Sequence, residues 1–298
     1  MKNNNMVILP ITVLVHEGIM ARTYLVRLRL AGFIPAAILL MVSKHDPKTG
    51  KQVGRWLPAK LRLNYAKKAQ EKSQNFWPRR LRKDEPNLFE MMTKTISKSY
   101  ALPLGIYDEI LGAINYEEFT EIFQTIMVDG YKDPELQCLV SNLSHKTILF
   151  TGGGILPPSL LALPGTRFIH IHPGTLPYVR GSDGLLWSTL TRNKPGVSVF
   201  YMAPEIDNGN IISAGETSPL TFPIAKEKRP DYQTLYRLIF SYYDPMLRAQ
   251  KLIEVLKQAK DPTNLLSDPQ DMSIGLTYRF MHPTIRDIAL KLLFPDQS

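Results

Sequence analysis

An α/β fold on an open, mostly parallel sheet with helices on both faces is what this sequence predicts, on three observations. Short runs that are apolar throughout, among them "ITVLV" (11–15), "AAILLMV" (36–42) and "GVSVFYM" (196–202), read as strands covered on both faces, as in a parallel sheet. The stretches between such runs repeat apolar residues at helical spacing, so strands alternate with crossover helices. With 298 residues, 44% apolar and 21% charged, the chain can bury a large core and does not resemble a disordered one.

Taken in order, residues 11–44 read as strand, turn at Glu17-Gly18, helix and strand. The helix carries Tyr24, Leu25, Leu28 and Ala31 on one face, and Gly32 ends it. This βαβ unit lacks GxGxxG, so the usual dinucleotide fingerprint is absent. Residues 46–100 break the alternation with helical stretches, two tryptophans and most of the charge, and read as a basic, aromatic-containing insert. A helix is predicted over 108–123, a short strand over 124–128, and a helix opened by Asp-Pro over 133–143. Strands follow at 146–156, running into a glycine turn, and at 168–172. The pattern is helical over 232–260 and again over 282–294. The expected organisation is an α/β domain over 1–218 and a mainly helical C-terminal extension over 219–298.

The run "MVILPITVLV" (6–15) has the apolarity of a signal-peptide core, but only Lys2 precedes it and no small-residue cleavage pattern follows. No segment approaches the roughly 20 apolar residues of a membrane span. We read the run as a buried first strand. The single cysteine, Cys138, excludes an intramolecular disulfide and a cysteine-rich zinc site, and fits a reducing, cytoplasmic compartment.

The net charge of +9 is concentrated: residues 48–98 hold fourteen lysines and arginines against Glu71, Asp84, Glu85 and Glu90, which leaves the remainder near neutral. Trp56, Leu57, Leu61, Leu63, Phe76 and Trp77 interleave with these cations. Such a segment can be a solvated face, an arm lying on an anionic membrane surface, or a contact for nucleic-acid phosphates.

The segment "FIHIHPGTLPYVRG" (168–181) carries the most chemical information. Residues two apart on a strand share a face, so His170 and His172 project together near the carboxyl end of a strand, where open α/β sheets bind ligands. Two satisfied structural histidines are one reading. A metal site is another, but it needs further ligands; His16, His45, His145, His282 and Asp207 could supply them, none at a recognised spacing, so no metal is expected.

A third reading comes from the neighbourhood. "HPGTLPYVRG" (172–181), preceded by "TILFTGGGILPPSLLALPG" (147–165) and followed by "GVSVFYMAPEIDNGNII" (196–212), resembles the folate-dependent formyltransferase family. That family has an Asn-x-His-Pro-Ser-x-Leu-Pro-x-x-Arg-Gly strand and turn, then Asp-x-Gly about thirty residues later. The resemblance covers about 125–215, extends to 11–44, and is absent from 46–100 and beyond about 220. It implies a Rossmann-like domain that transfers a formyl group from 10-formyltetrahydrofolate, through a tetrahedral intermediate, to an amino group of a small-molecule or sugar-linked acceptor. By position, His172 matches the catalytic histidine and Asp207 the catalytic aspartate. The catalytic asparagine falls on His170, a departure, and Gly174 replaces the usual serine. Gly153, Gly154, Ile155, Leu156, Ile206 and Gly209 are implied to line the folate site. His16, Glu17, Gly18 and Arg180 are implied to meet the acceptor.

The chemistry asks for these residue types. An amine attacking a formyl carbon creates an oxyanion that needs a positioned donor, and its protons need a group titrating near neutrality. A histidine at 170 can still donate one N–H, but it titrates, so two protonated imidazoles would repel and the site should be sensitive to pH. Ser182 or Asp183 is expected to cap the helix that follows the turn, and Asp183 is read as structural. The acceptor can be nucleotide- or lipid-linked, and residues 46–100 can hold the protein peripherally on an anionic membrane. Nucleic acid is disfavoured as a partner, because the formyltransferases acting on initiator methionyl-tRNA add a C-terminal β-barrel and 232–294 reads helical. The rival functions are a ligand-binding module of the same fold with a degraded site, and nucleic-acid or anionic-surface binding through 46–100.

Overall fold

The computed structural model describes residues 6–46 and 49–297. Lys2, and Pro47 and Lys48 at the start of the basic insert, lie outside the described residues. In chain order the elements begin with β1 (Val7–His16), α1 (Ile19–Leu30) and β2 (Phe33–Ser43). The insert supplies α2 (Ala59–Gln74), α3 (Phe76–Asp84) and α4 (Pro86–Ser99). Next come α5 (Ile106–Leu111), a 3₁₀ turn at Tyr116–Phe119, β3 (Ile122–Val128), α6 (Pro134–Ser141), β4 (Thr147–Phe150) and α7 (Pro158–Leu161). The site region holds β5 (Arg167–His172), β6 (Val179–Gly181), α8 (Gly184–Arg192), β7 (Gly196–Tyr201) and β8 (Ile211–Glu216). Last are α9 (Tyr232–Leu238), a π-helical turn at Ile239–Tyr243, α10 (Asp244–Gln258), β9 (Leu276–Tyr278) and α11 (Pro283–Leu293).

The main sheet has the order β3-β2-β1-β4-β5-β7-β8. Its pairings are parallel from β3 to β5 and antiparallel at β5–β7 and β7–β8, so it is open and mostly parallel, as the apolar runs predict. Both faces are covered. Leu9, Ile11, Val13 and Val15 of β1 point into one core with Leu40, Val42, Ile169 and Ile171. Leu14, Leu39, Ile148, Phe150 and Phe168 point into a second core under α6 and α7. Alternation along each strand sorts the residues between these layers.

Helix α1 is buried on all sides over residues 21–28, because it lies between the sheet and the helices α5 and α10. The basic insert forms part of the cover on that same face: Ala66, Leu81, Leu88, Met92 and Ile96 enter the core. The helices after residue 218 do so too, since Leu235, Leu238, Met246, Leu252, Leu290 and Leu293 are all buried there. No helix among the described residues is long and apolar enough to cross a membrane.

The helix predicted over 108–123 is corrected. α5 stops at Leu111, and a side chain at Gly112 would meet the Asp108 carbonyl at 2.8 Å. The residues from Ile122 onward join the sheet as β3, in register with β2 from Ala37↔Ile122 to Ser43↔Val128. Pairing with Ala37 and Ile38 outweighs helical spacing at Ile122 and Phe123, while 124–128 is strand as the sequence predicts. The strand β8 and the small β6–β9 sheet had no clear sequence signal; β9 is three residues long and comes from a distant part of the chain.

Candidate active site

Strands β1, β4 and β5 run parallel, so His16, Phe150 and His172 end along one edge of the sheet. The His16 backbone N–H donates to Thr151 Oγ1 at 3.1 Å across that edge. His170 and His172 alternate with Ile169 and Ile171 and therefore share the opposite face. Because β7 is antiparallel and ends beside the start of β5, the loop after it must fold back to reach His172. It does so: Tyr201 N–H donates to the Asn210 carbonyl at 2.9 Å, closing the loop's base. Gln270 Nε2 clamps the loop from outside by donating to the carbonyls of Asp207 and Gly209. Asp207 itself takes a left-handed backbone (φ 51°), uncommon for a residue other than glycine and frequent at functional sites. Gly209 packs so closely that a side chain there would meet the Tyr201 carbonyl at 1.4 Å.

The result brings His172 and Asp207 together, with Nδ1 and Oδ2 3.3 Å apart. Asp207 Oδ2 also accepts the Gly181 N–H at 2.7 Å, which fixes the carboxylate. On its other side the His172 ring holds the Val179 carbonyl from Nε2 at 2.9 Å. A neutral imidazole that donates from Nε2 presents a lone pair at Nδ1. The contact with Asp207 becomes a hydrogen bond only when a proton sits between the two atoms. The pair is thus a built acceptor for one proton. Glycines frame it: a side chain at Gly174 would lie 2.5 Å from His172 Nε2, and one at Gly184 would lie 2.9 Å from it. This accounts for glycine where the family pattern has serine.

His170 lies half-buried between the rings of Phe150 and Phe200, with Nδ1 3.4 Å from the Phe150 carbonyl. If Nδ1 keeps that proton, Nε2 is an acceptor. Donation to an oxyanion therefore requires the other tautomer, which the long Phe150 contact opposes only weakly. Burial, with the Arg248 charge adding to it, holds the His170 imidazole down at about 4. Burial also lowers His172, against the upward pull of Asp207. Both rings are neutral near pH 7, so the repulsion expected between two imidazolium ions does not arise there. Unfolded histidine gains its proton near pH 6.5 and the folded ring at 170 only near 4. Stability should be full above pH 6.5 and fall as pH drops toward 4, by roughly 2–3 kcal/mol from this ring. We expect His170→Asn to remove that part of the loss, seen as a smaller decrease in urea midpoint between pH 7 and 4.5. Equal decreases in the two proteins would show that His170 does not carry it.

The other implied contacts divide. Gly153 has no atom within 4 Å of where a side chain would begin, Gly154 has φ +91°, and Ile155 and Ile206 are exposed, so these are free to line an apolar slot. Leu156 is fully buried in the second core and is not presented to a ligand. Arg180 is buried and donates to the carbonyls of Pro177 (2.8 Å), Ile274 (3.2 Å) and Gly275 (3.3 Å), so its guanidinium is committed inside the protein. Glu17 is buried at 5% exposure, accepting from Arg22, Asn75 and Tyr116. His16 lines a cavity of about 220 Å³ next to Gln70 and His45, and Gly18 opens α1 with φ +150°. Asp183 stands at the N-cap position of α8, but its carboxylate accepts instead from Tyr236 Oη (2.7 Å) and Met281 N–H (2.8 Å). Among the described residues no three His, Cys, Asp or Glu side chains gather as metal ligands.

Two residues near the site escaped sequence reasoning. Arg248, held by Asp244 at 2.8 Å, donates to the Ile171 carbonyl at 3.1 Å, between the two histidines, from the far face of the sheet. Their i,i+4 spacing inside an apolar helical stretch was the available signal. Gln270 had none.

Residues 127–220, which hold both His172 and Asp207, match the family model described as Formyl transferase. Among curated relatives, the methionyl-tRNA formyltransferase of Syntrophus aciditrophicus (strain SB) is 31% identical over 136 residues, which is 45% of this chain and 41% of that protein. The enzyme of the same name from Pelotomaculum thermopropionicum is 29% identical over 93 residues, 30% of this chain and 29% of that one. The chain thus spans well under half the length of these relatives. Among solved structures, a sugar N-formyltransferase from Shewanella sp FDAARGOS_354 aligns over 96% of this chain and 89% of its own, at 12% identity and TM-score 0.46.

Proposed function

We propose that the protein transfers a formyl group from 10-formyltetrahydrofolate to an amino group of a small-molecule or sugar-linked acceptor. The observation that carries this reading is the His172–Asp207 contact, with Nε2 of the same ring held by Val179. Gly153, Gly154, Ile155 and Ile206 would hold the pterin, and the bound donor would supply an electrophilic formyl carbon. As the acceptor nitrogen bonds to that carbon, the His172–Asp207 pair takes the proton the nitrogen releases. It returns a proton to the nitrogen that leaves. His170, in its Nε2–H tautomer, supports the oxygen as negative charge gathers there. The test is turnover with 10-formyltetrahydrofolate and a panel of amines beginning with aminosugar nucleotides. Tight folate binding with no turnover on any amine would favour a binding module instead.

A second role rests on the insert. Trp56, Leu61, Phe76 and Trp77 are exposed, at 72%, 55%, 46% and 44%, among exposed Arg55, Lys72 and Arg80. This combination suits peripheral contact with an anionic membrane. Binding to acidic vesicles should weaken steeply as salt rises, and Trp56→Ala with Trp77→Ala should weaken it further. Binding to neutral vesicles as strong as to acidic ones would remove this role.

A further inference from the structure

A cavity of about 570 Å³ lies between α2 and the β2–β3 edge of the sheet, more than twice the volume of the one beside His16. Leu40, Val42 and Phe123 form its apolar side, Lys67, Lys68 and Gln70 of α2 cover it, and residues 113–117 close the far wall. Leu40 and Val42 share a core with Ile169 and Ile171, so this space is on the opposite sheet face from His170 and His172. Of the residues implied to meet the acceptor only Glu17 lines it, and His170, His172 and Asp207 do not.

The space is a cleft partly open to solvent and not a sealed void. Here a polar frame holds the space open. Arg22 donates to Glu17 (2.7 Å), Glu71 (2.9 Å) and the Gly112 carbonyl (2.8 Å). Tyr116 Oη donates to Glu17 at 2.6 Å, and Arg79 Nε donates to the Leu111 carbonyl at 2.8 Å. Gln70 ties α2 to β2 by donating to the Met41 carbonyl and accepting the Ser43 N–H, both at 2.9 Å. Collapse would break this network, so the volume is built in.

The frame's charges are paired with one another: Arg22 and Arg79 with Glu17 and Glu71. Lys67 and Lys68 have no ion pair among the described residues, and Lys67 Nζ lies 5.1 Å from the centre of the Phe123 ring. Glu117 lines the opposite wall, so an anion is drawn to the α2 side. The volume lies within the range of pockets that hold small ligands.

We propose that this cavity is a second ligand site, for an amphipathic anion. An apolar or aromatic body would lie on Leu40, Val42 and Phe123, with a carboxylate or phosphate at Lys67 and Lys68. Two probes separate the sources of this chemistry: adenosine monophosphate, with an aromatic body and a phosphate, and octanoate, with an aliphatic body and a carboxylate. Calorimetric titration of the full chain at low salt should show at least one binding with Kd below about 1 mM. Lys67→Ala with Lys68→Ala should weaken it about tenfold or more, with an unchanged melting temperature showing that the fold is intact. His172→Ala should bind the probe as the unaltered protein does. The proposal is overturned if neither probe binds at several millimolar, if the lysine variant binds equally well, or if His172→Ala abolishes binding. Absence of formyl transfer in the unaltered protein, with probe binding intact, would count against the proposed function alone.

Discussion

Asp207→Asn is expected to lower turnover of formyl transfer by about 10²–10⁴, the usual contribution of a positioned acid or base, while affinity for the folate donor changes little. An asparagine can still accept the Gly181 N–H and leave the loop in place, since Gln270 holds its backbone. Its amide cannot take a proton, and the oxygen that keeps the Gly181 N–H is the same one that faces His172 Nδ1, so no proton can be shared between the two side chains. His172→Ala should cost a similar factor. The double variant should be little worse than either single one, because the two residues act as a unit. The measurement is kcat and KM for each variant with one accepted amine. Near-normal kcat in Asp207→Asn would reduce Asp207 to a loop anchor.

The largest expected effect on stability lies at the other end of the β1–α1 turn. Glu17→Ala would leave the Arg22 guanidinium, 1% exposed, with only Glu71 and main-chain carbonyls as partners. It would also leave Tyr116 Oη and Asn75 Nδ2 without the carboxylate they share. Removing one partner of a buried ion pair costs about 3–5 kcal/mol, against at most about 1 kcal/mol for an exposed pair such as Arg80–Asp84. Urea unfolding of Glu17→Ala beside Arg80→Ala tests the contrast. Losses of similar size in the two variants would mean that water already screens Glu17. This network also explains why Glu17, which its place after the first strand suggested as an acceptor contact, is turned inward.

What the sequence by itself determined here is whatever is periodic or local. Two-residue alternation in 168–172 put His170 and His172 on one face, and unbroken apolar runs marked β1, β2, β4 and β7 as covered strands. The Asp-Pro opening placed α6, where Asp133 does cap the helix by accepting the Glu135 N–H. Local signals misled where two periods compete in a short stretch, as at 108–123, because only the neighbouring β2 makes the strand preferable. The tertiary structure alone decided the partners. The return of the 202–210 loop to His172, the anchoring of that ring on Val179, the inward commitment of Arg180 and the arrival of Arg248 and Gln270 from the last third of the chain all join residues far apart in sequence. Such contacts depend on how whole layers pack, because the satisfaction of a buried polar group is a property of its surroundings and not of its neighbours along the chain.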